Sequence, residues 1–371
     1  MMPTLVSKKQ NQFLYLKSKI ASKIDYTNYI ALLSTLNERD LIKTLNKLRK
    51  LKTLKEDPPF ILQDVLIKLT GHDNPAVVGV VLYVLGVLVD HCSFSIKEIK
   101  ENVQNEFRVQ QPYYNFIAIA VHNKDCRNEL LSLNLLKDLD VVLTQHHQAG
   151  LNAIYNLGYH ISLPSKWLIT LSKFLVGNSE ESLVLLIIAQ IATQPESIAL
   201  VEELFENIVL LLKHQDSHIV ESALKCVLSL TLGNQQQIDL LMYNGLLNEL
   251  SLVMKDHHTL VFDILTNLAI YNGTDLLPFL DSVHSTDVSL IVNLIYCQKQ
   301  LIPRIAGVGI PILIENMKNP IVAPALLVMI EQYPDVIDLA KKSGIVSKLE
   351  STSPLKMYFE DELKEWIIIN K

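Results

Sequence analysis

Apolar and polar residues alternate along this chain with helical spacing, and over one long stretch the pattern is copied. Displacing the sequence by 38 residues pairs Ile208 with Leu246, Val209 with Leu247, Leu212 with Leu250, Ala223 with Val261, Leu224 with Phe262, Val227 with Leu265, Leu230 with Leu268, Ile238 with Leu276 and Leu241 with Phe279. Intervals of three and four residues within each copy describe a helix with one apolar face. A unit of this length cannot bury that face alone, whereas stacked copies bury it jointly, so the pattern predicts an all-α repeat array.

The same spacing places further elements. Ile42, Leu45, Leu48, Leu51 and Leu54 form one stripe, surrounded by Lys43, Lys47, Arg49, Lys50, Lys52 and Lys55, which predicts a basic amphipathic helix. Asp57-Pro58-Pro59 breaks it, Phe60 to Leu69 forms a second helix, and Gly71 to Pro75 turns into an apolar helix from Ala76 to Val89. That helix joins the repeat series by pairing Asn74-Pro75, Val77, Val80, Val81, Val84 and Val87 with Ser217-His218, Val220, Ala223, Leu224, Val227 and Leu230. Looser units follow around Tyr113 to Leu136, Asp138 to His160, Pro164 to Glu196, and Gly309 to the end. In Asn74-Pro75 and Asn319-Pro320, Pro suits the first helical position behind an Asx cap. Three expected turns share a glycine followed by two apolar residues: Gly245-Leu246-Leu247, Gly309-Ile310-Pro311 and Gly344-Ile345-Val346.

Leu265-Thr266-Asn267-Leu268-Ala269 resembles the Asn-Leu-Ala signature of the third helix of an armadillo repeat, with weaker copies at Ile154 to Gly158 and at Asn293-Leu294. The glycine turns also resemble those between armadillo helices. The resemblance spans roughly residues 60 to 350. It implies an armadillo/HEAT-like right-handed α-solenoid superhelix, with residues 1–56 as a basic helical cap, 57–350 as repeats, and 351–371 as a capping helix containing Phe359, Leu363 and Trp366. Nuclear import adaptors of this family carry a Trp four residues before the groove Asn; the corresponding positions here are Asn152, Asp263 and Ser289. Recognition of basic localisation peptides by that mechanism is therefore not expected.

Composition sharpens the picture. Hydrophobic residues make up 49% of the 371, with only 12 glycines, which supplies core and few loops. The N-terminus reaches charge before any secretory apolar stretch can form, and the longest apolar run, Ala76 to Val89, is shorter than the roughly 18 residues a membrane span needs. A cytoplasmic protein is expected, a nuclear one remaining open. Cys92, Cys126, Cys226 and Cys297 make no CxxC pair and read as small buried apolar residues. The segment from Met1 to Glu56 holds 12 of the 33 basic and 4 of the 39 acidic side chains, a balance of +8; the remaining 21 basic and 35 acidic side chains give −14. An acidic body argues against duplex nucleic acid, whose phosphates require clustered Lys and Arg.

No phosphate loop, HExxH helix, GxSxG elbow or EF-hand loop occurs, so neither a catalytic site nor a cofactor is expected. Gly307-Val308-Gly309 reads as a turn between helices, and Asp138 with Asp140 as helix capping charge. His146-His147 and His257-His258 lack further ligands at characteristic spacing, so no metal site is expected. If the third helix of each unit lines the concave face, Asn156 with Tyr159, Asn267 with Tyr271, and Asn293 with Tyr296 recur one turn apart as candidate partner-binding pairs. The amides would grip a peptide backbone; the alternative is that they bond neighbouring turns. Lys47, Arg49, Lys50 and Lys52 would dock an acidic partner or an anionic membrane surface, the alternative being a solvated face. The expected function is a non-enzymatic adaptor holding a protein segment in its groove. Alternatives are a regulatory co-chaperone or assembly factor, for example one promoting nucleotide exchange on a heat-shock 70 protein, and an enzyme with an unrecognised site.

Overall fold

The computed structural model describes residues 26–35, 37–50, 57–92, 94–103, 110–144, 148–175, 180–192, 202–271, 274–349, 355, 358 and 359. These contain helices and no strand. The chain divides into two compact units, Met1–Leu163 and Pro164–Lys371.

In the first unit the helices are α1 (Tyr26–Thr35), α2 (Glu38–Arg49), α3 (Phe60–Leu69), α4 (Pro75–Leu88), α5 (Ile96–Val103), α6 (Gln110–Ala120), α7 (Lys124–Ser132), α8 (Leu135–Thr144) and α9 (Gln148–Gly158). Side-chain caps fix several starts. Asn37 accepts from the Asp40 N–H, Asn74 from Ala76, and Asn123 from Asp125 and Cys126, each satisfying donors that a helix start leaves unpaired. α4 is apolar nearly all round, and Val77, Val78, Val81, Leu82, Val84, Leu85 and Leu88 are all buried. It is accordingly central in a row in which α2 packs on α4, α4 on α6, and α6 on α9. A second layer covers that row, with α1 against α3, α5 against α7, and α7 against α8, which also packs on α9 of the row.

In the second unit the helices are α10 (Trp167–Ser172), α11 (Glu181–Ala192), α12 (Glu202–Leu210, prolonged by a 3-10 turn at Leu211–Lys213), α13 (Ser217–Leu230), α14 (Gln235–Tyr243), α15 (Leu246–Val253) and α16 (His258–Leu268). A 3-10 segment at Thr274–Ser282 follows, then α17 (Val288–Cys297), α18 (Ile302–Glu315), α19 (Val322–Gln332) and α20 (Val336–Lys342). Here α11, α13, α16, α17 and α19 form the corresponding row, each packing on the next.

The repeated pattern holds in the core. Ala223, Leu224, Val227, Leu230, Ile238 and Leu241 are buried, as are Val261, Phe262, Leu265, Leu268, Leu276 and Phe279. The secondary structure diverges at two places: the 3-10 turn Leu211–Lys213 falls where the second copy is still in α15, and α14 is replaced in the second copy by the 3-10 segment. Pro278 stands there opposite Leu240, and proline inside a helix removes a donor and crowds the preceding turn.

Four expectations need correction. The match between α4 and α13 is shifted by one position, so that Asn74 pairs with Asp216 and not with Ser217. Asn74 and Asp216 are the equivalent caps, and each donates its own N–H to an imidazole two residues earlier, His72 Nδ1 at 3.0 Å and His214 Nδ1 at 2.9 Å. In that register Val78, Val81, Leu82, Val84, Leu85 and Leu88 meet Val220, Ala223, Leu224, Cys226, Val227 and Leu230, all buried. Gly309, and with it Gly307-Val308-Gly309, lies inside α18 and makes no turn; a Cβ at Gly309 would stand 3.0 Å from Ile291 Cγ2, so the glycine allows α17 to approach. The third left-handed turn is instead at Asn134 (φ 62), before Leu135-Leu136, matching Gly245 (φ 82) and Gly344 (φ 80). Asn319 does form an Asx turn, its Oδ1 accepting from the Ile321 N–H, but α19 starts two residues beyond Pro320. Lastly, Cys126 and Cys226 are buried while Cys92 is half-buried and Cys297 exposed. The basic helix runs from Glu38 to Arg49; Leu51, Lys52, Leu54 and Lys55 lie outside the described residues, as do His146, His147, Leu363 and Trp366. Phe359 is buried.

Candidate functional site

The first unit carries an open cleft of about 630 Å³ across its helix row, lined from α2, α4, α6 and α9. Each wall follows from helical periodicity. Gly79 and Tyr83 on α4, Asn115 and Ile119 on α6, and Asn152 and Asn156 on α9 are each four residues apart, so each pair stands on one face. Across the row, Gly79 faces Pro112 on α6, and Asn156 bonds back to α6. Phe116 and Pro112 add apolar floor, and Tyr83 and Ile119 are 45% and 37% exposed, unusually open for side chains of their size.

Arg49 closes one end, with its guanidinium 4.5 Å from the Tyr83 ring centroid. That contact orients a cation while leaving its five N–H groups free to donate. Among the described residues, the Arg49 guanidinium and the side-chain amides of Asn115 and Asn152 make no hydrogen bond or ion pair within the protein. Arg49 and Asn156, proposed from the sequence on separate grounds, therefore stand in one cleft. Lys47 and Lys50 are exposed on the same helix end, and Lys52 lies outside the described residues.

Asn156 differs from Asn115 and Asn152. Its Nδ2 donates to the Ala118 carbonyl in the last turn of α6, at 2.6 Å. It belongs to a series in which an asparagine reaches back one repeat: Asn102 to the Ile67 carbonyl (3.3 Å) and Thr70 Oγ1 (2.9 Å), and Asn123 to Val89 (3.2 Å). In the second unit Asn267 reaches Thr231 Oγ1 (3.1 Å), Asn293 the Thr266 carbonyl (2.9 Å) and Asn316 the Ser285 carbonyl (2.7 Å). All of these acceptors but Ser285 belong to the last turn or the C-cap residue of a helix, where carbonyls lack their regular intrahelical donor; Thr70 and Thr231 accept through their hydroxyls. Asn156, Asn267 and Asn293 thus join neighbouring repeats, each retaining one N–H and its carbonyl.

The paired tyrosines are placed unequally. Tyr159, just past α9, is 61% exposed and packs edge-to-face on Tyr155 with the two hydroxyls hydrogen-bonded; burial and that bond push its phenol well above the usual range. Tyr271 donates to the Gly233 carbonyl at 3.3 Å and lines a smaller cleft of about 240 Å³ with Gln235, Asp239 and Asp275. Tyr296 is exposed on α17. One further rung, unmarked in the sequence, is His122 with His160, their ring nitrogens 3.1 Å apart and both imidazoles held below their ordinary range chiefly by burial.

No protein-family model matches the chain, and no curated protein matches it in sequence. Among solved structures it is similar to an engineered protein, a target of the Northeast Structural Genomics Consortium, with 15% identity over 92% of this chain and 98% of that one and a TM-score of 0.67. A second engineered protein from the same consortium shares 16% identity over 66% of this chain and 98% of that one, with a TM-score of 0.37. The first likeness shows the helical fold alone.

Proposed function

We propose that this chain is a non-enzymatic interaction scaffold, a right-handed solenoid of armadillo/HEAT type, whose first unit holds an extended segment of a protein partner. The observation that carries this reading is the cleft in which Arg49, Asn115 and Asn152 present uncommitted donors over an apolar floor. A side-chain amide offers both a donor and an acceptor, which is what a peptide bond in extended chain leaves unsatisfied. Packed helices lie about 8–10 Å apart and an extended chain advances about 3.3 Å per residue, so Asn115 and Asn152 would engage peptide bonds about three residues apart. Tyr83, Phe116 and Ile119 take the intervening apolar side chains, and Arg49 takes a carboxylate at one end. This places an acidic side chain, not a basic one, in the preferred ligand, in keeping with the absence of the adaptor tryptophans.

A random peptide library displayed and selected on the protein tests it. The selected peptides should carry Asp or Glu beside apolar residues. Replacing Asn115 and Asn152 together with Ala should weaken them about 10- to 100-fold, the worth of two buried hydrogen bonds, while the melting midpoint stays put because neither amide supports the fold. Failure to select any peptide, or equal binding by the double variant, would overturn the reading.

A further inference from the structure

The second unit gathers a cluster that no sequence spacing announces. His258 opens α16, and His284 and Asp287, beyond the 3-10 segment that follows it, occupy the turn into α17. One potential ligand atom from each lies within 4.8 Å of the other two. His258 Nε2 is 3.6 Å from Asp287 Oδ2 and 3.2 Å from the Ser282 carbonyl oxygen. Tetrahedral zinc, with ligands at about 2.0–2.2 Å, needs ligand atoms about 3.3–3.6 Å apart, a spacing that His258 and Asp287 already have and into which His284 has to close.

We propose that His258, His284 and Asp287 bind a divalent transition metal of zinc type, clipping the start of α16 to the turn before α17. Two imidazoles and one carboxylate form a nitrogen-rich set that suits zinc over magnesium or calcium, which prefer all-oxygen shells. The Ser282 carbonyl or a water completes four-coordination. Parts of the site are already oriented. The Asp287 carboxylate accepts from the His284 N–H at 2.7 Å, and the His258 ring is stacked on Phe262 with centroids 4.2 Å apart. Among the described residues no Lys or Arg pairs with Asp287, so its charge is available to a cation. One movement is required. The His284 ring stacks on His258 at 4.0 Å and 7° from parallel, which leaves the in-plane lone pairs parallel; the exposed His284 ring must turn to aim at a shared ion.

Calorimetric titration of the tag-free, chelator-treated full chain with zinc chloride tests the proposal. The expected result is one equivalent bound with a dissociation constant on the order of micromolar or tighter, and a higher melting midpoint with zinc. His284→Ala should weaken binding at least ~100-fold, since even outer-shell partners of a metal are worth 10- to 100-fold. His122→Ala, in the carboxylate-free pair with His160, should leave the titration unchanged. Because His258→Ala also removes the stack on Phe262, the exposed His284→Ala and the near-isosteric Asp287→Asn decide the matter. No stoichiometric zinc binding, or equal binding by both of these variants, would overturn it.

Discussion

Asparagine does two jobs in this molecule, and they are distinguished by what stands opposite each amide. Asn156, Asn267 and Asn293 could be picked out from the sequence because they sit in an armadillo-like frame, and the structure gives each a bond to the preceding repeat. Asn115 had no such frame, and Asn152 was marked only as the place of a missing tryptophan; their importance rests on an empty space across the cleft, which spacing along the chain cannot reveal. The pair of His122 and His160 is equally hidden, since the two rings follow different helices and meet only when α6 and α9 pack together. Its chemistry predicts a pH effect. Burial lowers both imidazoles below the unfolded value of about 6.5, so the unfolded chain binds more protons and stability falls as pH drops below about 7. Thermal melts of wild type and of His122→Asn/His160→Asn between pH 7.5 and 5 should show a smaller loss in the variant. An unchanged slope would remove the pair from the pH response.

At the scale of elements, the helices were legible where apolar spacing or a start signal marks them. Phe60 to Leu69 appears as expected behind the Pro58-Pro59 break without a side-chain cap, and the apolar helix follows its Asn74 cap with proline at the first position. The turns were less legible, because a left-handed residue need not be glycine and a glycine need not be left-handed. Asn134 takes the turn position through a short polar side chain, while Gly309 serves a close approach inside a helix. Two further helical glycines should therefore respond with opposite signs. At Gly150 an added Cβ would fall 1.8 Å from Cγ1 of the buried Val142, so Gly150→Ala should destabilise by about 1–3 kcal/mol as α8 and α9 are forced apart. At Gly307 nothing lies within 4 Å, so Gly307→Ala should stabilise α18 by up to about 1 kcal/mol. Chemical denaturation measures both. Equal effects would mean that the packing around α9 is looser than described.

Across the whole molecule, repetition was the most legible property, since each unit must present the same apolar face to its neighbour. The division at Leu163/Pro164 was not, because Pro164 falls between repeats as other prolines do. Among the described residues no helix is long and apolar enough to cross a membrane, as the short apolar runs imply. Of the basic helix, Arg49 lines the cleft, and this links that helix to the groove. The central claim is that ligand binds at the uncommitted amides and not at those joining the repeats. It is tested most directly by side-chain amide NMR of the full chain labelled at asparagine, read during titration with a selected acidic peptide. The account predicts that the Asn115 and Asn152 resonances shift in proportion to occupancy while those of Asn102, Asn123, Asn267 and Asn293 stay in place. Shifts confined to Asn267 and Asn293, or absent from Asn115 and Asn152 at saturation, would contradict it.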